Sequence, residues 1–163
     1  MGTHHRGTER EKKALDAYIK LLRASDSLAA ALAPQVHAAG LTFSQFGCLE
    51  ALFHLGPLCP REIGRKLLRS PGNVTTLLDN LERAGMVRRV RDREDRRYVT
   101  VHLTDAGRSL MRGLFPRHAN RVAFLLSSLT SGEISDLARI CKKLGLAASA
   151  HPRTRRSAAP AES

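Results

Sequence analysis

Residues 70–84 read SPGNVTTLLDNLERA, and this stretch decides the fold. Ser70 is a good helix N-cap, offering a side-chain oxygen to the unpaired amides of the first turn. Pro71 occupies the first helical position, where its missing N–H costs nothing. Val74, Leu77, Leu78 and Leu81 recur at i, i+3, i+4 and i+7 and form one apolar face. Gly72, Asn73, Thr75, Thr76, Asp79 and Asn80 lie mostly off that face. They are short and polar, so such a helix can approach base edges and phosphates closely in a DNA major groove. Gly85 supplies the stop. Alone, the pattern also fits an ordinary amphipathic surface helix, and its neighbours decide between the two.

Upstream, Thr42-Phe43-Ser44-Gln45 is a T-x-x-Q capping box. It predicts a helix over 43–55 with Phe46, Leu49, Leu52 and Phe53 inward, ended by Gly56-Pro57. Pro60 then opens a short helix, PREIGRKLL, with Ile63, Leu67 and Leu68 expected to be buried. Arg69-Ser70 connects it to the 70–84 helix. Two short helices joined tightly, the second polar on its outer face, make a helix-turn-helix. Downstream, Met86–Arg91 and Tyr98–Leu103 read as paired strands around the turn DREDRR, residues 92–97. Arg93, Arg96 and Arg97 sit at this hairpin tip, with Arg88, Arg89 and Arg91 on the approach strand. Guanidinium side chains so placed suit a narrow, negative minor groove. Asp92, Glu94 and Asp95 are expected to orient arginines. The expected fold is therefore mainly α with a small β-hairpin wing, a winged helix-turn-helix over 41–104.

The flanks are helical. From Glu9, the residues Leu15, Tyr18, Ile19, Leu22, Leu28, Ala31 and Leu32 form a stripe on a long helix. Pro34 is expected to kink or end it, with a ragged continuation to Gly40. Such a stripe at the start of a small protein calls for a partner, so 9–40 is read as a dimerisation helix. Thr104 caps a further helix whose apolar set runs from Leu110 to Leu129 and which Pro116 bends. Thr130-Ser131-Gly132-Glu133 is another capping box and starts a last helix that Gly145 should stop. Residues 105–146 are read as C-terminal dimerisation helices. Residues 1–8 and the basic 147–163 are expected to be disordered.

Composition narrows the function. The 163 residues carry a net charge of +12, 42% apolar and 26% charged residues. That balance favours a polyanionic partner around a packed core. No eighteen-residue apolar run and no secretory leader are present, so a membrane span is not expected and a cytoplasmic location is. Three scattered cysteines make neither a disulfide framework nor a CxxC knuckle. P-loop, GxGxxG, GxSxG and HExxH motifs are missing, which argues against an enzyme. Aromatics total 4% and fall at core spacing, which favours duplex DNA over single-stranded RNA.

The segments LTFSQFGCLEAL, REIGRKLL and SPGNVTTLLDNLERAGMVRRVRDREDRRYVTVHLTDAGR together resemble the MarR family, the multiple antibiotic resistance regulators. The resemblance spans roughly residues 10–145. Its most specific piece is D-x-R-x5-L-T (Asp95, Arg97, Leu103, Thr104), preceded by N-L-x-x-x-G-x-V (Asn80, Leu81, Gly85, Val87). It implies a homodimeric winged-helix regulator, most often a repressor, with intertwined terminal helices. It implies base reading by Asn73, Thr75 and Thr76, phosphate contacts by Ser70, Gly72, Arg65 and Lys66, and Arg97 held in the minor groove by Asp95. A pseudo-palindromic operator with half-sites ~10 bp apart follows from two-fold symmetry.

Many members of that family release DNA on binding a small aromatic or phenolic effector. The corresponding lining candidates are Tyr18, Leu22, His37, Phe46, Leu49 and Met111. Others sense oxidants through a thiolate, for which Cys48 and Cys59 are the candidates, although no cysteine lies in the first helix. A third group binds zinc. Here His37, His54, His102 and His118 are scattered without an H-x3-H pair, so no metal and no cofactor is expected.

Overall fold

The computed structural model describes residues 5–91 and 98–150. The elements are α1 (Glu9–Ala38), α2 (Phe43–Leu55), α3 (Pro60–Leu67), α4 (Pro71–Arg83), β1 (Val87–Arg91), β2 (Val99–Leu103), α5 (Asp105–Leu125) and α6 (Ser131–Ala150). The chain divides into one unit through Leu125 and a second from Leu126. The expectations for the first four residues, the hairpin tip 92–97 and residues 151–163 lie outside the described residues.

Local chemistry sets the helix starts. Thr42 accepts from the Gln45 amide at 3.3 Å while the Gln45 side chain accepts from the Thr42 amide at 2.8 Å. Thr130 and Glu133 repeat this exchange at the head of α6, and Thr8 and Glu11 at the head of α1. Accepting these amides holds the Glu11 and Glu133 carboxyls below their ordinary value. The two exchanges are thus present above that lowered range and lost as pH falls through it.

One core fills the first unit. Val36 of α1, Phe46, Leu49 and Leu52 of α2, Ile63 of α3, Val74, Leu77, Leu78 and Leu81 of α4, Val87 and Val101 of the hairpin and Met111 and Leu114 of α5 are all buried. Each large side chain so placed stabilises the fold by roughly 1.5–3 kcal/mol. The hairpin is antiparallel in the register Val87↔Leu103, Arg89↔Val101 and Arg91↔Val99. Alternation along the strands turns Val87, Val101 and Leu103 inward. Leu58, between α2 and α3, forms a bridge with Val101 on the far side of β2, donating at 3.3 Å and accepting at 2.8 Å.

The α3–α4 corner is built on two special positions. Leu68 caps α3 in the left-handed conformation (φ 51°) and is 65% exposed, not buried as the apolar pattern predicts. The left-handed cap turns this residue away from the face that holds Ile63. Gly64 is buried where a Cβ would stand 3.2 Å from Val74 Cγ2 and 3.3 Å from the Arg69 carbonyl oxygen. A Cβ there would press on both neighbours, so glycine suits the close approach of α3 and α4.

A second close approach joins the hairpin to α5. The Thr104 hydroxyl donates to the Gly85 carbonyl at 2.7 Å and accepts from the Gly107 amide at 3.0 Å. A Cβ on Gly107 would overlap the Met86 carbonyl. Gly107→Ala is therefore expected to cost ~2 kcal/mol or more, because neither backbone segment can yield without breaking the cap. Urea unfolding checks this, and an unchanged midpoint would show that the corner can relax.

Pro34 lies inside α1, which does not end there but continues to Ala38, close to the expected continuation to Gly40. Two helix ends and one cap differ from expectation. The helix after Thr104 ends at Leu125, short of Leu129. Ser70 stands at the N-cap of α4 but makes no side-chain capping bond. Its carbonyl accepts from the Val74 amide at 3.1 Å instead. Finally, α6 runs through Gly145 to Ala150. The segment LAASA after Gly145 is rich in strong helix formers, which offset the ~1 kcal/mol that a helical glycine costs. No helix among the described residues is long and apolar enough to cross a membrane.

Candidate nucleic-acid interface

Burial of Val74, Leu77, Leu78 and Leu81 fixes which way α4 faces. Gly72, Asn73, Thr75, Thr76, Asn80 and Arg83 are left exposed on the opposite side. The Thr75 hydroxyl donates to the Pro71 carbonyl at 3.2 Å and the Thr76 hydroxyl to the Gly72 carbonyl at 3.3 Å. These are weak bonds within the helix itself, which an approaching base edge can replace. Arg83 donates to the Asn80 side-chain oxygen at 3.2 Å. The structure thus places Gly72, Asn73, Thr75 and Thr76 together on one solvent-facing surface. Ser70, half-buried, stands at its head.

The last turn of α3 adds charge beside this surface. Arg65 and Lys66 are exposed there, as is Arg69 in the connection. Arg69 donates to the Ser44 hydroxyl at 2.8 Å, which tethers it to the start of α2. Glu62, at the other end of α3, accepts from the Cys59 amide at 2.8 Å. That bond holds its carboxyl below the ordinary range and occupies it away from the cationic end.

One arginine is spent differently from the expectation. Arg89 of β1 does not extend as a strand cation. Its guanidinium donates to Asp79 at 2.6 Å and to Glu82 at 2.5 Å, and its amide donates to Glu82 at 2.9 Å. Partial burial would lower its pKa, but the bonds to both carboxylates outweigh that and raise it. Asp79 is accordingly engaged by Arg89 and not offered to a base edge. The spacing held a signal for this: Asp79 and Glu82 are i, i+3 neighbours on one helix, with a cationic strand immediately following. The other hairpin cations singled out in the sequence, Arg93, Arg96 and Arg97 with Asp95, lie outside the described residues.

The remaining candidates separate into two groups. Phe46, Leu49 and Met111 are buried in the core, whereas Tyr18, Leu22 and His37 on α1 are exposed. Phe46 stacks against His118 with ring centroids 4.4 Å apart, and His118 bonds Gln35 at 2.9 Å. These contacts tie α1, α2 and α5 together. Cys48 is fully buried, and desolvation pushes its thiol up to about 12. A group so placed carries almost no thiolate near neutral pH, which removes Cys48 as an oxidant-reactive nucleophile. Cys59 is half-buried beside the start of α3, and both are free thiols. Among the described residues, no three His, Cys, Asp or Glu side chains gather as a metal site would need.

Known proteins place this arrangement. The family model described as MarR family matches residues 41–99. The uncharacterized HTH-type transcriptional regulator YkoM of Bacillus subtilis (strain 168) is 35% identical over 138 residues, covering 85% of this chain and 90% of its own. Sco3205, a MarR family transcriptional regulator from Streptomyces coelicolor solved in complex with DNA, shares the fold with a TM-score of 0.75 and 23% identity. That match covers 87% of this chain and 90% of Sco3205. NadR, solved in complex with 4-hydroxyphenylacetate, shares it with a TM-score of 0.70 and 22% identity over 88% of this chain and 97% of its own. With its helix-turn-helix, its antiparallel hairpin and an ungapped polar face on α4, the chain belongs to the MarR family of winged-helix, DNA-binding transcriptional regulators and is not an enzyme.

Proposed function

We propose that the protein is a homodimeric repressor that reads a pseudo-palindromic operator and leaves it when a small aromatic or phenolic effector binds. The observation that carries the DNA reading is the exposed polar face of α4, directly opposite its four buried side chains. Asn73, Thr75 and Thr76 read base edges. Ser70, Gly72 and Arg65 hold phosphates. Arg93, Arg96 and Arg97 enter the minor groove, with Asp95 orienting Arg97. Dimerisation rests on apolar stripes that the single chain leaves exposed on α1 and α6.

The effector reading rests on likeness to NadR and on the exposure of Tyr18, Leu22 and His37. These α1 side chains are available to line a pocket that a second copy closes over. Phe46, Leu49 and Met111 fill the core and offer the effector no surface in the single chain. The oxidant-sensing alternative is left only Cys59 of its two candidates.

The test is fluorescence anisotropy with DNA from the protein's own upstream region against random DNA. The parent is expected to prefer the native DNA strongly. Asn73→Ala and Thr76→Ala should each reduce that preference about tenfold while leaving random DNA almost unaffected, the scale of one lost base contact. Equal losses on both DNAs would overturn base reading by these residues. Phenolic compounds added to the same complex test release.

A further inference from the structure

We infer that Arg89 is a positioning residue: it locks strand β1 onto the recognition helix and thereby sets sequence preference, without itself contacting DNA. The inference deepens the DNA-binding reading above and rests on it. Three bonds carry it. The guanidinium forks to Asp79 and Glu82, one turn apart on α4, and the Arg89 amide donates to the same Glu82 carboxylate. Glu82 therefore grips both the backbone and the side chain of one strand residue. Such a doubly held arginine has a fixed geometry that a lysine cannot reproduce.

Two physical consequences follow. First, α4 and β1 are joined by the short turn through Gly85, where φ is +69°, and by Val87 packing into the core that holds the inner face of α4. The fork adds a tie along the helix, 7 and 10 residues back, and fixes the angle at which the strand leaves it. Base contacts need placement within fractions of an ångström, whereas phosphate contacts tolerate slack. Second, Asp79 and Glu82 are carboxylates on the helix that faces a polyanion. Their side chains are 46% and 38% exposed. Arg89 offsets one of the two negative charges in place and so halves a repulsion that would fall on every DNA alike.

The two consequences can be separated from a direct phosphate contact. Arg89→Met, Arg89→Lys and the triple variant Asp79→Asn, Glu82→Gln, Arg89→Met, which removes all three charges, are titrated against native and random DNA over a salt series, well below each variant's melting temperature. The positioning role predicts that Arg89→Met lowers the native-to-random preference at least tenfold. Arg89→Lys should recover only part of it. The triple variant should regain affinity for random DNA but not the preference. The salt slope per protomer should not fall. A phosphate contact predicts instead equal weakening on both DNAs and a salt slope reduced by about one per protomer, and that result would overturn the inference. Unchanged preference in a folded Arg89→Met variant would overturn it too. Asn73→Ala, measured alongside, separates this failure from failure of the base-reading helix. If Arg89→Met does not fold, the Asp79→Asn, Glu82→Gln pair that retains Arg89 must lose preference in the same way, or the inference falls.

Discussion

Placing glutamate at Leu137 and Leu144 together is expected to convert the protein to a monomer and to weaken operator binding by more than about a hundredfold. Every described side chain of α6 is at least partly exposed in the single chain. Ile134, Leu137, Ile140, Leu144 and Leu146 are 37–62% exposed. Residues 134, 137, 141 and 144 follow the 3-4-3 spacing of a seam between helices. Leaving such a stripe in water forfeits roughly 25 cal/mol for each Å² of apolar surface, and in the homodimer proposed above a second copy covers it. Two carboxylates in the seam would be buried without partners, which no repacking relieves. Loss of DNA affinity follows because two half-sites held by one rigid dimer bind as a linked pair, an advantage of about 10² to 10⁴ that a monomer lacks. The core, from Val36 to Leu114, lies wholly in the first unit. Circular dichroism should accordingly retain most of its helical signal. Light scattering supplies the mass. A variant that keeps the parent mass would show that this stripe is not the interface.

Sequence and structure agree where local chemistry dominates and part where distant segments meet. Capping boxes announced α2 and α6, because the exchange is made entirely within four residues. Prolines at the first helical positions announced α3 and α4 for the same reason. Apolar spacing placed Val74, Leu77, Leu78 and Leu81 inward without error, since a helix has only one way to hide them. The Leu58–Val101 bridge carried no such signal, because it joins residues far apart in the chain. Leu68 looked buried from its neighbours, yet a left-handed cap turned it out. Gly145 looked like a stop, yet the alanines beyond it carried the helix on. In the interface, exposure of the polar face of α4 was legible from periodicity. The pairing of Arg89 was not, because an arginine on a strand near DNA reads as a DNA contact until its partners are known. Asp79 and Glu82 were visible as acids, but only the angle between α4 and β1 shows that the arginine reaches both.

Raising salt from 50 to 200 mM is expected to weaken operator binding by about 10³-fold. Each phosphate neutralised by Lys or Arg releases condensed counterion, giving a slope near −0.9 per contact in a plot of log affinity against log salt. The net charge of +12 is an upper limit on nothing by itself, since most surface cations never meet a phosphate. The structure narrows the number. Arg65, Lys66 and Arg69 are exposed around the head of α4, and Arg89 is withdrawn by its carboxylates. Those three cations per protomer, counted without the hairpin-tip arginines proposed for the minor groove, make about six phosphate contacts in a two-fold complex, hence a slope near −5. Random DNA should show nearly the same slope, because base contacts release no counterions. The gap between the two lines then measures base reading alone. A slope shallower than about −2 would mean that the α3–α4 corner does not meet the backbone, and that the binding face lies elsewhere on this strongly basic chain.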